Sequence, residues 1–271
     1  MNAAQLAHFD LDIAPFDKAI ADDALWLPPS KQRLVDELAD AVSARRWCLL
    51  TGDPGAGKTC VLRAMRHRLP PERFRLTYCH NTTLGRRDFY RQVCHALGLS
   101  PKATAAAVFN AIATHMTELR AERIQPVLLI DEAHLLSQSV LDHLHILGNY
   151  EWDSAPLLTI VLVGLPELTD QLALRRNRSL YSRLSRRLRV PQLRPDDTAD
   201  YLRVRLAHAG CERAVFAAGA ISLLHEAAGG LLRDLDRLAE ASLRQAADGG
   251  HKLVERDAVS LAIRLDSPNA A

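Results

Sequence analysis

Eight consecutive residues, Gly52-Asp53-Pro54-Gly55-Ala56-Gly57-Lys58-Thr59, satisfy the spacing G-x-x-x-x-G-K-[ST] between a short apolar run and a helical stretch. The glycines let the backbone curl so that its N–H groups converge on a phosphate, and the helix that follows adds the positive end of its dipole. In such a loop Lys58 neutralises the β- and γ-phosphates and the Thr59 hydroxyl ligates magnesium. The stretch expected to hold the cofactor runs from Gly52 to Cys60, and the cofactor it suits is ATP with Mg2+.

A second group lies downstream. Val127-Leu128-Leu129-Ile130-Asp131-Glu132 reads as a buried strand that delivers two carboxylates to its C-terminal end, where ligands of open α/β sheets collect. Asp131 would hold the magnesium through water, and Glu132 would act as general base on the attacking water. An apolar run ending in Asp-Glu is common by itself, and it gains its meaning from the glycine loop upstream. Asp131-Glu132-Ala133-His134 also spells a helicase signature. Helicases of that class use two sheet domains, whereas helical sequence follows here, so His134 reads as a local structural or switch residue.

Three arginine-bearing segments complete the set. Gly229-Gly230-Leu231-Leu232-Arg233 opens a helix late in the chain, from which Arg233 can report the phosphate state of the nucleotide. Its bland alternative is a glycine-capped helix with a solvated arginine. The stretch Gln171 to Val190 holds seven arginines and no acid: Arg175, Arg176, Arg178, Arg183, Arg186, Arg187 and Arg189. Such a run is ordinarily a solvated face, but Arg183, within Ser182-Arg183-Leu184, can serve as an arginine finger in a neighbouring subunit's site. Asn81-Thr82-Thr83-Leu84-Gly85-Arg86-Arg87 offers hydroxyls and two arginines to a nucleic-acid backbone, with Thr82, Thr83, Arg86 and Arg87 as contacts. An ordinary helix cap, with Thr83 or a neighbour capping, accounts for it equally well.

These groups need a scaffold. Ser30 can cap a helix beginning near Lys31, in which Leu34, Leu38 and Val42 share a face. Strands are expected at Trp47 to Leu50, Phe74 to Cys79, Val127 to Ile130 and Leu158 to Val163, with helices from the loop to about Arg68, Arg87 to Leu97, Ala105 to Arg123 and Val140 to Leu147. Pro166 suits the first turn of another helix. Strands alternating with helices imply a parallel sheet covered on both faces. From Asp196 the strand signal stops, and helices are expected at about Asp197 to Ala209, Val215 to Ala228, Leu232 to Ala247 and Arg256 to Leu265. The expectation is a nucleotide-binding α/β domain over residues 1–193, an all-helical lid domain over 194–266 and a disordered tail at 267–271.

The 271 residues, 48% of them hydrophobic, suffice for two cores. A formal net charge of +2 proves no nucleic-acid partner, so the clustering of arginine matters more than the total. The five cysteines lack any C-x-x-C spacing and read as reduced, buried apolar residues. His143 and His145, two apart, face different directions on a helix. The residues from Met1 to Phe16 lack a signal-peptide pattern, and no apolar run approaches the roughly 18 residues of a membrane span, so a cytoplasmic protein without a membrane partner is expected.

With these pieces placed, the chain resembles the AAA+ P-loop ATPases grouped with ExeA and the transposon target-selection proteins TniB, MuB and TnsC. Besides the loop and the Asp-Glu strand, the resemblance rests on Phe9, Pro15-Phe16, Leu25-Trp26-Leu27-Pro28, Asn149-Tyr150-Glu151-Trp152-Asp153-Ser154 and Val161 to Leu168, and on the Arg183 and Arg233 motifs. It implies a base pocket in which Leu25, Trp26 and Leu27, within an N-terminal segment of residues 1–30, close over adenine. Plain packing explains Trp26 as well. Relatives carry a polar residue after the Val-Gly of the fourth strand, where this chain has Leu165, which implies slow hydrolysis. The resemblance further implies a homo-oligomer, ring or helical filament, that binds double-stranded DNA without sequence preference and recruits a transposase or integrase. An ExeA-like secretion or protein-remodelling ATPase is the alternative, and an initiator or clamp-loader-like ATPase a third. Fold alone does not decide among them.

Overall fold

A computed structural model describes residues 1–17, 19–80, 83–100, 105–148 and 157–266. Thr82, the Asn149 to Ser154 segment and the expected tail lie outside the described residues. In chain order the elements are α1 (Ala3–His8), α2 (Pro29–Ser43), β1 (Trp47–Thr51), α3 (Lys58–Arg68), β2 (Phe74–Cys79), α4 (Arg86–Ala96), α5 (Ala105–Ala121), β3 (Gln125–Ile130), α6 (Gln138–Leu144), β4 (Thr159–Gly164), α7 (Glu167–Ala173), α8 (Arg178–Arg183), β5 (Leu184–Arg189), α9 (Pro195–His208), α10 (Ala218–Ala228), α11 (Leu232–Asp248) and α12 (Arg256–Asp266).

The strands pair in parallel in the order β2-β3-β4-β1-β5. Strands β1, β3 and β4 are buried along their whole length, which is why they read as continuous apolar runs rather than alternating ones. A parallel α/β sheet flanked by helices, with an all-helical C-terminal region, is therefore the fold.

Several local expectations change. Strand β5 is an addition to them, because Leu184-Ser185-Arg186-Arg187-Leu188-Arg189 lacks an apolar run. It is an edge strand with mostly exposed positions, and arginines are among the side chains that keep such an edge from pairing with another chain. Helix α2 starts at Pro29, so Ser30 lies inside its first turn and is not its cap; proline is pre-set for that place. Helix α4 begins at Arg86 with Gly85 as N-cap and no side-chain cap bond, so Thr83 is not the cap. The expected Val140–Leu147 helix stops at Leu144 and tightens into a 3-10 turn at His145–Gly148. Helix α10 starts only at Ala218, since Phe216 forms an isolated parallel bridge with Val254.

Two compact units divide the chain. One comprises Lys31–Asp53 and Lys58–Val190 and contains the sheet. Its core gathers Leu49, Ile130, Ile160 and Leu162 from the strands with Phe89, Ile112, Met116 and Leu141 from the helices. The other comprises Met1–Ser30, Pro54–Gly57 and Pro191–Ala271. Its core joins Phe9 and Phe16 to Leu202, Leu206, Leu224, Leu235 and Leu243. Residues 1–30, expected with the nucleotide-binding domain, thus pack with α9–α12. Arg205 anchors them: its guanidinium donates to the carbonyls of Pro15 and Asp17, each at 2.6 Å, and is buried against Tyr201.

Candidate functional site

Parallel pairing brings the C-terminal ends of all the strands to one edge of the sheet. The loop Gly52 to Thr59 leaves the end of β1, and Asp131-Glu132 leaves the end of β3, with β4 between them. At about 4.8 Å per strand, the two ends lie about 10 Å apart. Gly52 N–H bonds to the Gly164 carbonyl at the end of β4 (3.2 Å), and Val190 N–H to the Thr51 carbonyl (2.7 Å). A Cβ at Gly52 would meet the Val190 Cβ at 3.0 Å, so the loop needs glycine there to leave the sheet.

Lys58 opens α3 and its Nζ donates to the carbonyls of Gly52 (2.8 Å) and Asp53 (3.3 Å), which holds the ammonium over the loop. Thr59, exposed in the first turn of α3, presents its hydroxyl near the helix N-terminus. Gly55 (φ +80°) and Gly57 (φ +95°) take the left-handed conformations that the cradle requires.

Asp131 is only 8% exposed. Its Oδ1 accepts the Glu132 N–H at 2.8 Å and its Oδ2 accepts the Tyr78 hydroxyl at 2.6 Å. Burial, then the bond to Asp131 and the charges of Asp131 and Glu132, push the Tyr78 phenol well above its ordinary pKa. Glu132 has left-handed backbone (φ 50°, ψ 36°), a strained posture for a non-glycine residue, and its half-exposed carboxylate lies 3.5 Å from His134 Nδ1. His134 Nδ1 also lies 3.5 Å from the Leu165 N–H, and a Cβ on Gly164 would come within 3.3 Å of the same ring.

The donor set suits magnesium: a hydroxyl from Thr59 and a carboxylate from Asp131 are oxygen ligands, and among the described residues no cation is ion-paired with Asp131. No group of three or more His, Cys, Asp or Glu side chains there could hold a metal ion by itself. None of the five cysteines is in a disulfide, and only Cys60 is not buried.

The fold leaves Arg183 away from this edge. It ends α8, and its guanidinium lies 6.0 Å from the ring centroid of Trp47, the first residue of β1. The four rises of β1 separate Trp47 from Thr51 by about 13 Å, which puts Arg183 at the opposite edge. There Arg45, Arg46, Trp47, Arg183 and Ser185 line a cleft of about 240 Å³. Arg189, at the other end of β5, stands instead beside the loop, with Nη2 3.6 Å from Asp53 Oδ2. The arginine run hid this distinction, since without a strand no residue in it could be given an end.

In the helical unit, Arg233 N–H approaches the Gly55 carbonyl (3.4 Å), and a Cβ on Gly55 would meet the Arg233 Cβ at 2.8 Å. Trp26 packs against Tyr201 with ring centroids 5.6 Å apart, while Leu27 is buried and Leu25 half-buried. Thr83, Arg86 and Arg87 are exposed, and Arg86 Nη1 lies 2.5 Å from His143 Nε2.

Residues 39–172 match the AAA domain family. The chain is 36% identical over 217 residues to General secretion pathway protein A of Aeromonas hydrophila, a match covering 79% of this chain and 39% of that protein. The chain thus spans about two-fifths of that relative's length. Among solved structures it is similar to Cdc6p of Pyrobaculum aerophilum (TM-score 0.70, 16% identity, 89% of this chain and 67% of that one). It is also similar to Drosophila ORC bound to DNA (TM-score 0.68, 18% identity, 97% of this chain and 65% of that one). Among the described residues no helix is long and apolar enough to cross a membrane.

Proposed function

We propose that this chain, an AAA+ P-loop protein by its fold and its AAA domain match, binds and hydrolyses ATP and uses the triphosphate state to assemble on double-stranded DNA and engage a transposase or integrase. One observation carries the nucleotide part: the loop at the end of β1 and the Asp131-Glu132 pair at the end of β3 face one edge of the sheet, with one strand between them.

In this reading Lys58 exchanges its bonds to loop carbonyls for bonds to phosphate oxygens. Thr59 and Asp131 would hold magnesium, which neutralises phosphate charge when bound. Glu132, half exposed beyond β3, takes the proton from water as it attacks. Arg183, at the far edge from its own loop, acts on the nucleotide of a neighbouring copy, which makes hydrolysis a property of the oligomer. Arg233 reads the loop through the Gly55 carbonyl that it touches, and Leu25, Trp26 and Leu27 border the adenine. Leu165 leaves an apolar side chain after Val163-Gly164 and favours a slow ATPase acting as an ATP-loaded switch.

The DNA part is supported by the exposed Thr83, Arg86 and Arg87 and by the arginines of β5; Thr82 is proposed with them. The 36% identity to a secretion-pathway protein favours a second reading, a protein-remodelling ATPase. That match covers 39% of the relative, so it supports the ATPase part rather than the whole protein's role. The DNA reading places the chain in the cytoplasm.

The test is duplex-DNA binding by fluorescence anisotropy with ATP, a slowly hydrolysed analogue, ADP or no nucleotide, with particle size followed in parallel. DNA binding and assembly that both require triphosphate, and weaken steeply with salt, support the first reading. Nucleotide-driven assembly that ignores DNA in every state moves the conclusion to the second.

A further inference from the structure

The Asp131 carboxylate is held on both of its oxygens. Glu132 N–H occupies Oδ1 and the Tyr78 hydroxyl occupies Oδ2, the latter from a residue 53 positions away in sequence. The sheet makes this meeting possible: β2 and β3 pair with Tyr78 opposite Leu129, and Asp131 N–H continues the ladder to the Cys79 carbonyl at 2.8 Å. Tyr78 is 47% exposed, and its ring stacks on His80 with centroids 5.8 Å apart. It therefore contributes little to the core, while its hydroxyl is committed to a carboxylate that is almost wholly buried.

A buried carboxylate needs partners for its lone pairs. A lysine or arginine would supply them but would also cancel the negative charge that attracts a cation. A phenol donates one strong bond, fixes the rotamer and leaves the charge in place. Each carboxylate oxygen has a second acceptor direction, and fixing the plane of the group aims those directions.

We propose that Tyr78 is a positioning residue for magnesium, orienting Asp131 and so setting the magnesium concentration at which the chain holds nucleotide tightly. The inference rests on the reading of Asp131 as the carboxylate that holds the ion.

The experiment is equilibrium binding of a fluorescent, slowly hydrolysed ATP analogue to the full chain across a magnesium titration, for the parent and for Tyr78→Phe, Tyr78→His and Asp131→Asn. Tyr78→Phe keeps the ring and removes the hydroxyl. The magnesium midpoint should rise by about 10-fold, the equivalent of one charged hydrogen bond, with nucleotide affinity in excess chelator unchanged. Tyr78→His, which can donate again, should recover part of the shift. In steady-state hydrolysis the apparent KM for magnesium should rise while kcat at saturating magnesium stays near the parent value. A midpoint that does not move in Tyr78→Phe, while Asp131→Asn loses the magnesium response, overturns the proposal and leaves the role of Asp131 standing. A magnesium response retained by Asp131→Asn overturns both.

Discussion

The two edges of the sheet carry opposite chemistry. At the C-terminal edge stand Lys58, Asp131 and Glu132, and the Asp131 carboxylate is buried and hydrogen-bonded. At the N-terminal edge, Arg45, Arg46 and Arg183 gather around Trp47 in a cleft. In the proposed reading the first edge binds the nucleotide. The second has cations about 13 Å, the length of β1, from the loop of its own chain. In the proposed reading a complete site therefore needs two copies, the C-terminal edge of one meeting the N-terminal edge of another.

That comparison can be broken in several places. Arg183→Ala should keep ATP binding and lower turnover by about 10³-fold or more, the scale of an arginine finger; a turnover assay of the assembled protein checks it. Mixing Arg183→Ala with Glu132→Gln subunits should restore part of the activity, because hybrid interfaces recover one intact site. No recovery in the mixture would put Arg183 outside the neighbour's chemistry.

At the other edge, Glu132→Gln should lower turnover by about 10²- to 10⁴-fold with ATP binding retained and the assembly trapped, as sizing in ATP would reveal. Lys58→Ala should weaken ATP binding by about 100-fold, the worth of a strong charge-assisted bond, in a titration with labelled nucleotide.

Gly55→Ala should destabilise the fold by about 1–3 kcal/mol, because its positive φ and its approach to Arg233 both resist a Cβ; thermal unfolding without nucleotide measures it. The mildest probe is thiol alkylation. Burial pushes Cys48 up to about 12 despite Arg186 and Arg46 nearby, and Cys79, Cys94 and Cys211 are buried as well. At pH 8 Cys60 should therefore react first, and ATP with magnesium should slow it, since Cys60 follows Thr59.

How legible each region was follows from its burial. Strands β1, β3 and β4 are covered on both faces, so burial demanded continuous apolar runs, and those runs announce strands in the sequence. The glycine loop was legible for a related reason: a backbone that must wrap a phosphate leaves little choice of residue. Strand β5 borrows its stability from β1 on one side only, so its exposed positions were free to be arginine, and the sequence there shows a charge run. The order of helices in the C-terminal region was also readable from periodicity, whereas the membership of Met1–Ser30 in that unit was not. It depends on contacts remote in the chain: Phe9 and Phe16 in the shared core, and Arg205 reaching the carbonyls of Pro15 and Asp17 across 190 and 188 positions.

By itself, then, the sequence determined that a phosphate loop follows a buried strand and that a carboxylate pair ends another, because local backbone geometry and burial dictate those residue types. Only the tertiary structure decided which arginine stands at which edge and that Tyr78 meets Asp131. Those outcomes depend on strand order and register, which pair residues remote in the chain and leave no local pattern behind.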